Sequence, residues 1–238
     1  MAKKSLSVNK GIEGQGEKGT RAVKRTGGKQ QAGKENVVSR VRELAWEGKH
    51  AQAIELATQA LSQPKLKPAA QMDLLDLRAE SYFAQLKIDA AEKDAASMMK
   101  FANTFKKPDF KAQALIRKGI MQGRQKNLEA ATRTLTSSLK IARQSRQRNL
   151  EAESLYWLGR FDDNLEKAEK YDKQASELFL SLGNPSRMGR AMANLAFVYQ
   201  FAGRMEEGRN VARTALAVCE RQGDNWGKGQ YLNALYSL

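Results

Sequence analysis

Residues 193–216 read Ala193-Asn-Leu-Ala-Phe-Val-Tyr-Gln-Phe-Ala-Gly203-Arg-Met-Glu-Glu-Gly-Arg-Asn-Val-Ala-Arg-Thr-Ala-Leu216. The spacing predicts two amphipathic helices hinged at Gly203. Leu195, Ala196 and Tyr199 share one face of the first; Gly208, Ala212, Ala215 and Leu216 share one face of the second. Small residues at the crossing let the backbones approach, and larger apolar residues fill the gap to the next pair. One such hairpin cannot bury its own apolar face, so the chain must supply copies.

It does so at a period of 37–40 residues. Equivalents of Ala196 run upstream as Gly159, Gly119, Ala79 and Val41. In the second helix the pair Ala212 and Ala215 is matched by Ala175 and Leu178, Leu135 and Ser138, Ala95 and Met98, and Ala57 and Ala60. Pro64 and Pro68, Pro108 and Pro185 fall between units, where a residue lacking an N–H donor interrupts helices. The junction near Ser145 to Asn149 carries no such breaker. The expected units are 37–68, 72–108, 112–148, 152–185 and 189–224, followed by a terminal helix over 229–238. The fold class is an all-α solenoid.

Composition agrees. Of 238 residues 41% are apolar and only 7% aromatic, and four prolines and few β-branched runs leave little material for a sheet. The single Cys219 cannot form an internal disulfide, which fits a reducing cytoplasm. No run of about 18 apolar residues suggests a membrane span, and the basic N-terminus lacks the apolar stretch of a secretory signal. Residues 1–36 hold seven of the 18 glycines and nine Lys/Arg against three Glu, and read as a disordered basic tail. Within it Gly28-Lys-Gln-Gln-Ala-Gly-Lys34 imitates a phosphate-binding loop, but Glu35 stands where Ser or Thr must hold magnesium.

These hairpins resemble tetratricopeptide repeats. The fifth unit has Leu195-Ala196, Tyr199, Gly203, Ala212 and Ala215; the first has Leu44, Gly48, Ala53, Ala57 and Ala60; the second has Ala79, Tyr82, Ala91 and Ala95. The fourth keeps Leu155, Leu158 and Gly159 but sets Tyr171 at an alanine position and Asp162 at an aromatic one, and the third has Gln122 at that aromatic place. The unit length resembles the longer-helix subtype of bacterial signalling and peptide-binding regulators. The resemblance implies a right-handed superhelix whose first helices line a concave groove for a partner's segment.

In that register the groove residues are Arg117, Ile120 and Arg124, then Tyr156, Arg160 and Asp163, then Arg190, Asn194, Phe197 and Phe201, with Asp73, Asp76 and Glu80 from the second unit. The groove is thus expected to be acidic early and basic late, suiting a partner with acidic residues over units three to five. Asn194 is the sharpest candidate: the resemblance implies an amide that grips a ligand backbone, and an amide both donates and accepts. Asn194 and Arg160 are both expected to face solvent. The tryptophans Trp46, Trp157 and Trp226 are read as packing between units. His50 and Cys219 have no companions at metal-ligand spacing, and no nucleophile or phosphate loop points to an enzyme or a cofactor.

The other reading is nucleic-acid binding. Residues 100–150 carry 13 basic and two acidic side chains, and Lys106, Lys107, Lys111, Arg143, Arg146 and Arg148 would be its contacts. Self-association through an apolar edge at Leu232, Leu235 and Leu238 is a third.

Overall fold

Ten helices form in the computed structural model, which describes residues 29–222. They are α1 (Lys29–Trp46), α2 (His50–Leu61), α3 (Pro68–Ala84), α4 (Ile88–Phe105), α5 (Pro108–Arg124), α6 (Leu128–Gln144), α7 (Arg148–Phe161), α8 (Leu165–Ser181), α9 (Pro185–Phe201) and α10 (Met205–Gln222). Each packs on its neighbours in sequence, and the odd-numbered helices also touch along the series α1, α3, α5, α7, α9. The architecture is therefore a helical-repeat solenoid of five hairpins, each with an odd-numbered helix A and an even-numbered helix B. Trp226, the expected terminal helix and most of the tail lie outside the described residues, although α1 already begins at Lys29, within the segment expected to be tail.

Helix starts explain why the units open one turn earlier than expected. Pro68, Pro108 and Pro185 are first-turn residues of the helix that follows rather than spacers before it. An N-terminal N–H has no helical partner, so its absence costs nothing there. Asn127, Asn164 and Asn184 cap α6, α8 and α9, each accepting from the backbone N–H three residues on. Gly48, Gly183 and Gly203 turn the chain with positive φ, as do the non-glycine residues Leu86, Lys106, Lys126 and Arg146. Arg146 supplies the turn that no glycine or proline marks in the sequence.

The core is a file of apolar clusters along the array rather than one central core. Val41, Ala79, Gly119, Gly159 and Ala196 are all buried. A Cβ on Gly119 would lie 2.6 Å from Leu135 Cγ, so helix A approaches helix B as closely as a glycine permits.

The fourth unit departs from the expected register. α7 has 14 residues where α5 has 17, and its last turn is missing. Everything in α8 therefore sits three residues earlier relative to α6. Ala168, not Tyr171, occupies the alanine position, and the partners of Leu135 and Ser138 are Asp172 and Ala175, not Ala175 and Leu178. Gly159 accordingly packs on Asp172, with a Cβ there only 2.3 Å from Oδ1. Phe161 compensates for the shortened helix by filling the space beside Gly123.

Candidate functional site

Arg117 projects from α5 toward α3, where Asp76 and Glu80 lie one turn apart on one face. Its Nε donates to Asp76 Oδ1 at 2.5 Å and its Nη2 to Glu80 Oε2 at 3.3 Å. Burial disfavours the guanidinium charge, but the two carboxylates outweigh it and raise its pKa. Glu80 is lowered in return: burial opposes ionisation, and Arg117, then Arg124 and more distantly Arg187, overcome it. Asp73 accepts from Gln113 at 3.1 Å, and burial leaves its carboxyl raised. The acids of α3 are thus largely answered by α5, and the groove lacks the simple acidic-to-basic gradient expected.

Beyond this bridge the odd-numbered helices enclose a concavity of about 690 Å³. Its walls include Trp46 of α1, Glu80 of α3, Ile120 and Arg124 of α5, Tyr156 and Trp157 of α7, and Arg187 and Arg190 of α9. The array curls far enough for its first and last described units to share one cavity. Arg187 pairs with Glu153 across α7 and α9. Arg124 is exposed and rests on two rings, 4.9 Å from the Phe83 centroid and 5.8 Å from that of Trp157. Trp157 in turn stacks on Phe161 and meets Tyr156 edge-on. Burial raises the Tyr156 hydroxyl; the Arg124 side chain is open to the cavity, but the surrounding protein partly desolvates its guanidinium and, with Arg117 and Arg160 nearby, lowers it.

Of the expected groove residues, Glu80, Arg117, Ile120, Arg124, Tyr156 and Arg190 line this cavity; Asp73, Asp76, Arg160, Asp163, Asn194, Phe197 and Phe201 do not. Arg117 and Ile120 are only 5% and 3% exposed. Asn194 does not face solvent as expected: it is 6% exposed, and its Oδ1 accepts from Arg160 Nη1 at 3.1 Å. Phe201 projects outward at 76% exposure. Trp46, read as packing, is instead an exposed groove wall at the last helical turn of α1. Its exposure could not be told from a packing tryptophan by sequence alone.

Asp172 was not singled out by the sequence and is the most unusual side chain in the array. It is fully buried, and neither carboxylate oxygen has a hydrogen-bond partner among the described residues. Burial pushes its carboxyl well up, with the Asn194 amide and the Arg160 charge acting against the rise without cancelling it. Its equivalents Ala57, Ala95, Leu135 and Ala212 are apolar.

Of the alternative basic contacts, Arg143 is paired with Glu151 at 2.9 Å, and Arg148 donates to Ser181 Oγ at 3.2 Å. Lys106, Lys107, Lys111 and Arg146 are exposed. Among the described residues no group of three His, Cys, Asp or Glu side chains could hold a metal ion. No described helix is long and apolar enough to cross a membrane.

No protein-family model matches the sequence, and a search of curated proteins gives no match. Solved structures do share the fold. BtubC (BKLC) from P. vanneervenii is 17% identical with a TM-score of 0.57, over 82% of this chain and 91% of that one. A Signal Transduction ATPase with Numerous Domains from Pyrococcus horikoshii, described as having a tetratricopeptide repeat sensor, is 14% identical with a TM-score of 0.64 over 87% of this chain. The match spans 32% of that protein's length. A putative kinesin light chain with nearly identical TPR-like repeats from Podosopora anserina is 12% identical with a TM-score of 0.53, over 82% and 98%. The fold is a tetratricopeptide-like repeat array.

Proposed function

We propose that the chain is a non-enzymatic interaction scaffold whose concave groove holds a peptide or helical segment of another protein, with acidic residues lying over units three to five. The observation that carries this is the shared cavity, to which all five A helices contribute. A volume of about 690 Å³ falls within the range of ligand sites, and its walls come from successive A helices. Trp46, Tyr156 and Trp157 give it rigid apolar contact area. Arg124 supplies an exposed cation that rests on two aromatic faces with Glu80 nearby, and it can still meet a partner's acid. Tetratricopeptide-like neighbours, one of them a named sensor segment, support a role in partner recognition within a larger signalling assembly.

The test is fluorescence anisotropy of labelled 15-residue peptides titrated with the full chain, in acidic, amide-substituted and basic versions of one sequence. The acidic version binds about tenfold or more tighter than its amide counterpart, and Arg124→Glu removes that preference, a change of about 1.4 kcal/mol. Equal binding of all three versions contradicts the reading.

A further inference from the structure

Successive helices alternate direction, so every turn from a helix B to the next helix A lies on one edge of the solenoid, and every turn within a hairpin lies on the other. The two edges differ in charge. The within-hairpin edge is mixed, with Glu47, Asp89, Glu129, Asp163, Glu206 and Glu207 beside Lys49, Lys87, Lys126 and Arg204. The between-hairpin edge carries Lys67, Lys106, Lys107, Lys111, Arg146 and Arg148, all exposed. Successive A helices touch, so the basic clusters of neighbouring units follow one another along this edge.

Helix electrostatics accounts for only part of the pattern. Acids early in the B helices and the cations Lys106 and Arg146 at the ends of α4 and α6 complement the helix dipoles. Lys67, Lys107 and Arg148 do the opposite, standing at the starts of α3, α5 and α7. Neither Lys67 nor Lys107 caps its helix with a side-chain hydrogen bond, and the same holds for Lys49 and Lys87 at the starts of α2 and α4 on the other edge. What sets the between-hairpin edge apart is its excess of exposed cations.

The edge also offers a flat apolar face. Phe105 is 42% exposed between α4 and α5, its ring 4.5 Å from Phe101 and 6.1 Å from Phe110, with Lys107 Nζ 5.2 Å from the Phe110 centroid. The half-buried Phe101 and the buried Phe110 hold the exposed Phe105 ring in place beside Lys106 and Lys107. Phosphate contact plus base stacking is the chemistry that grips single-stranded nucleic acid without reading its sequence. An extended acidic protein chain would use the cations but not the ring. The net charge of +15 also opposes stacking of one copy's basic edge on another's within-hairpin edge.

We infer that the between-hairpin edge around the α4–α5 and α6–α7 turns is a binding surface for single-stranded nucleic acid, separate from the groove and independent of its ligand. The test titrates the full chain into fluorescein-labelled 20-nucleotide RNA and DNA single strands, and the matching duplex, from 50 to 200 mM KCl. Lys106→Glu with Lys107→Glu lowers single-strand affinity about tenfold or more and reduces the salt slope by about two, whereas Lys87→Glu with Lys126→Glu on the opposite edge changes affinity less than about twofold. Phe105→Ala weakens single-strand binding about tenfold and leaves duplex binding unchanged. Glutamine versions of both lysine pairs, with circular dichroism of every variant, give the same ranking if the glutamates unfold the protein. Equal losses from the two edges overturn the proposal, as does single-strand binding indifferent to all these changes, which would assign it to the basic N-terminal segment. Tighter binding to vesicles of equal phosphatidylglycerol and phosphatidylcholine, lost in the Lys106/Lys107 variant, also overturns it, by assigning the edge to a lipid surface.

Discussion

Asp172 holds a carboxyl group where four other hairpins place alanine or leucine. Its neighbours are Gly159, Asn194 and Arg160, and burial raises its pKa. A folded pKa above the unfolded value gives stability that is fullest below the ordinary carboxylate range and falls as pH rises toward the raised value. Asp172→Asn removes that dependence. Urea unfolding of the two proteins between pH 3 and 8 will show the variant gaining on the wild type as pH rises, and parallel curves would contradict a buried, raised carboxyl. Gly159→Ala tests the same contact from the other side. The added methyl meets the carboxylate rather than a movable chain end and costs about 1–3 kcal/mol in urea unfolding, whereas a relaxed contact would leave stability within about 0.5 kcal/mol.

At the scale of elements, α3 and α5 are joined by the Arg117 bridge and α3 and α4 by a two-point fork from Arg78 Nε and Nη2 to Asp94, at 2.8 and 2.6 Å. Both arginines fix how one helix sits on the next. Arg117→Ala leaves the partly exposed Asp76 and Glu80 without their cation and is expected to cost about 1.5–3 kcal/mol, measured by thermal or urea unfolding. A loss under about 1 kcal/mol would mean that the carboxylates are satisfied by water and that Arg117 does not clamp the helices. Neither link was legible in the sequence, since partners 16 and 41 residues apart meet only once the helices are stacked. The period itself was legible, because small residues at crossings and prolines at helix starts act locally. The missing turn of α7 was not. Asn-Leu-Glu at 127–129 and 164–166, spaced by 37, marks the true start of α8, but the same tripeptide recurs at 149–151 inside α7. Only the close approach of Gly159 to Asp172 shows which repetition keeps register.

For the molecule as a whole, curvature decides what the surface offers. Arg124, Tyr156 and Arg190 were recognisable as groove residues because helical spacing fixes their face. Trp46 and Arg187 were not, because their membership depends on how far five hairpins curl. That curl brings the first and last described A helices around one cavity, and it leaves Phe201 outside it. The most direct test of the groove is site-specific photo-crosslinking from the full chain to the labelled acidic peptide, with benzoylphenylalanine placed at position 46 in one protein and at position 201 in another. The groove reading predicts a peptide adduct from position 46, suppressed by excess unlabelled peptide, and none from position 201. An adduct from position 201 without one from position 46 would place the ligand outside the cavity and contradict it.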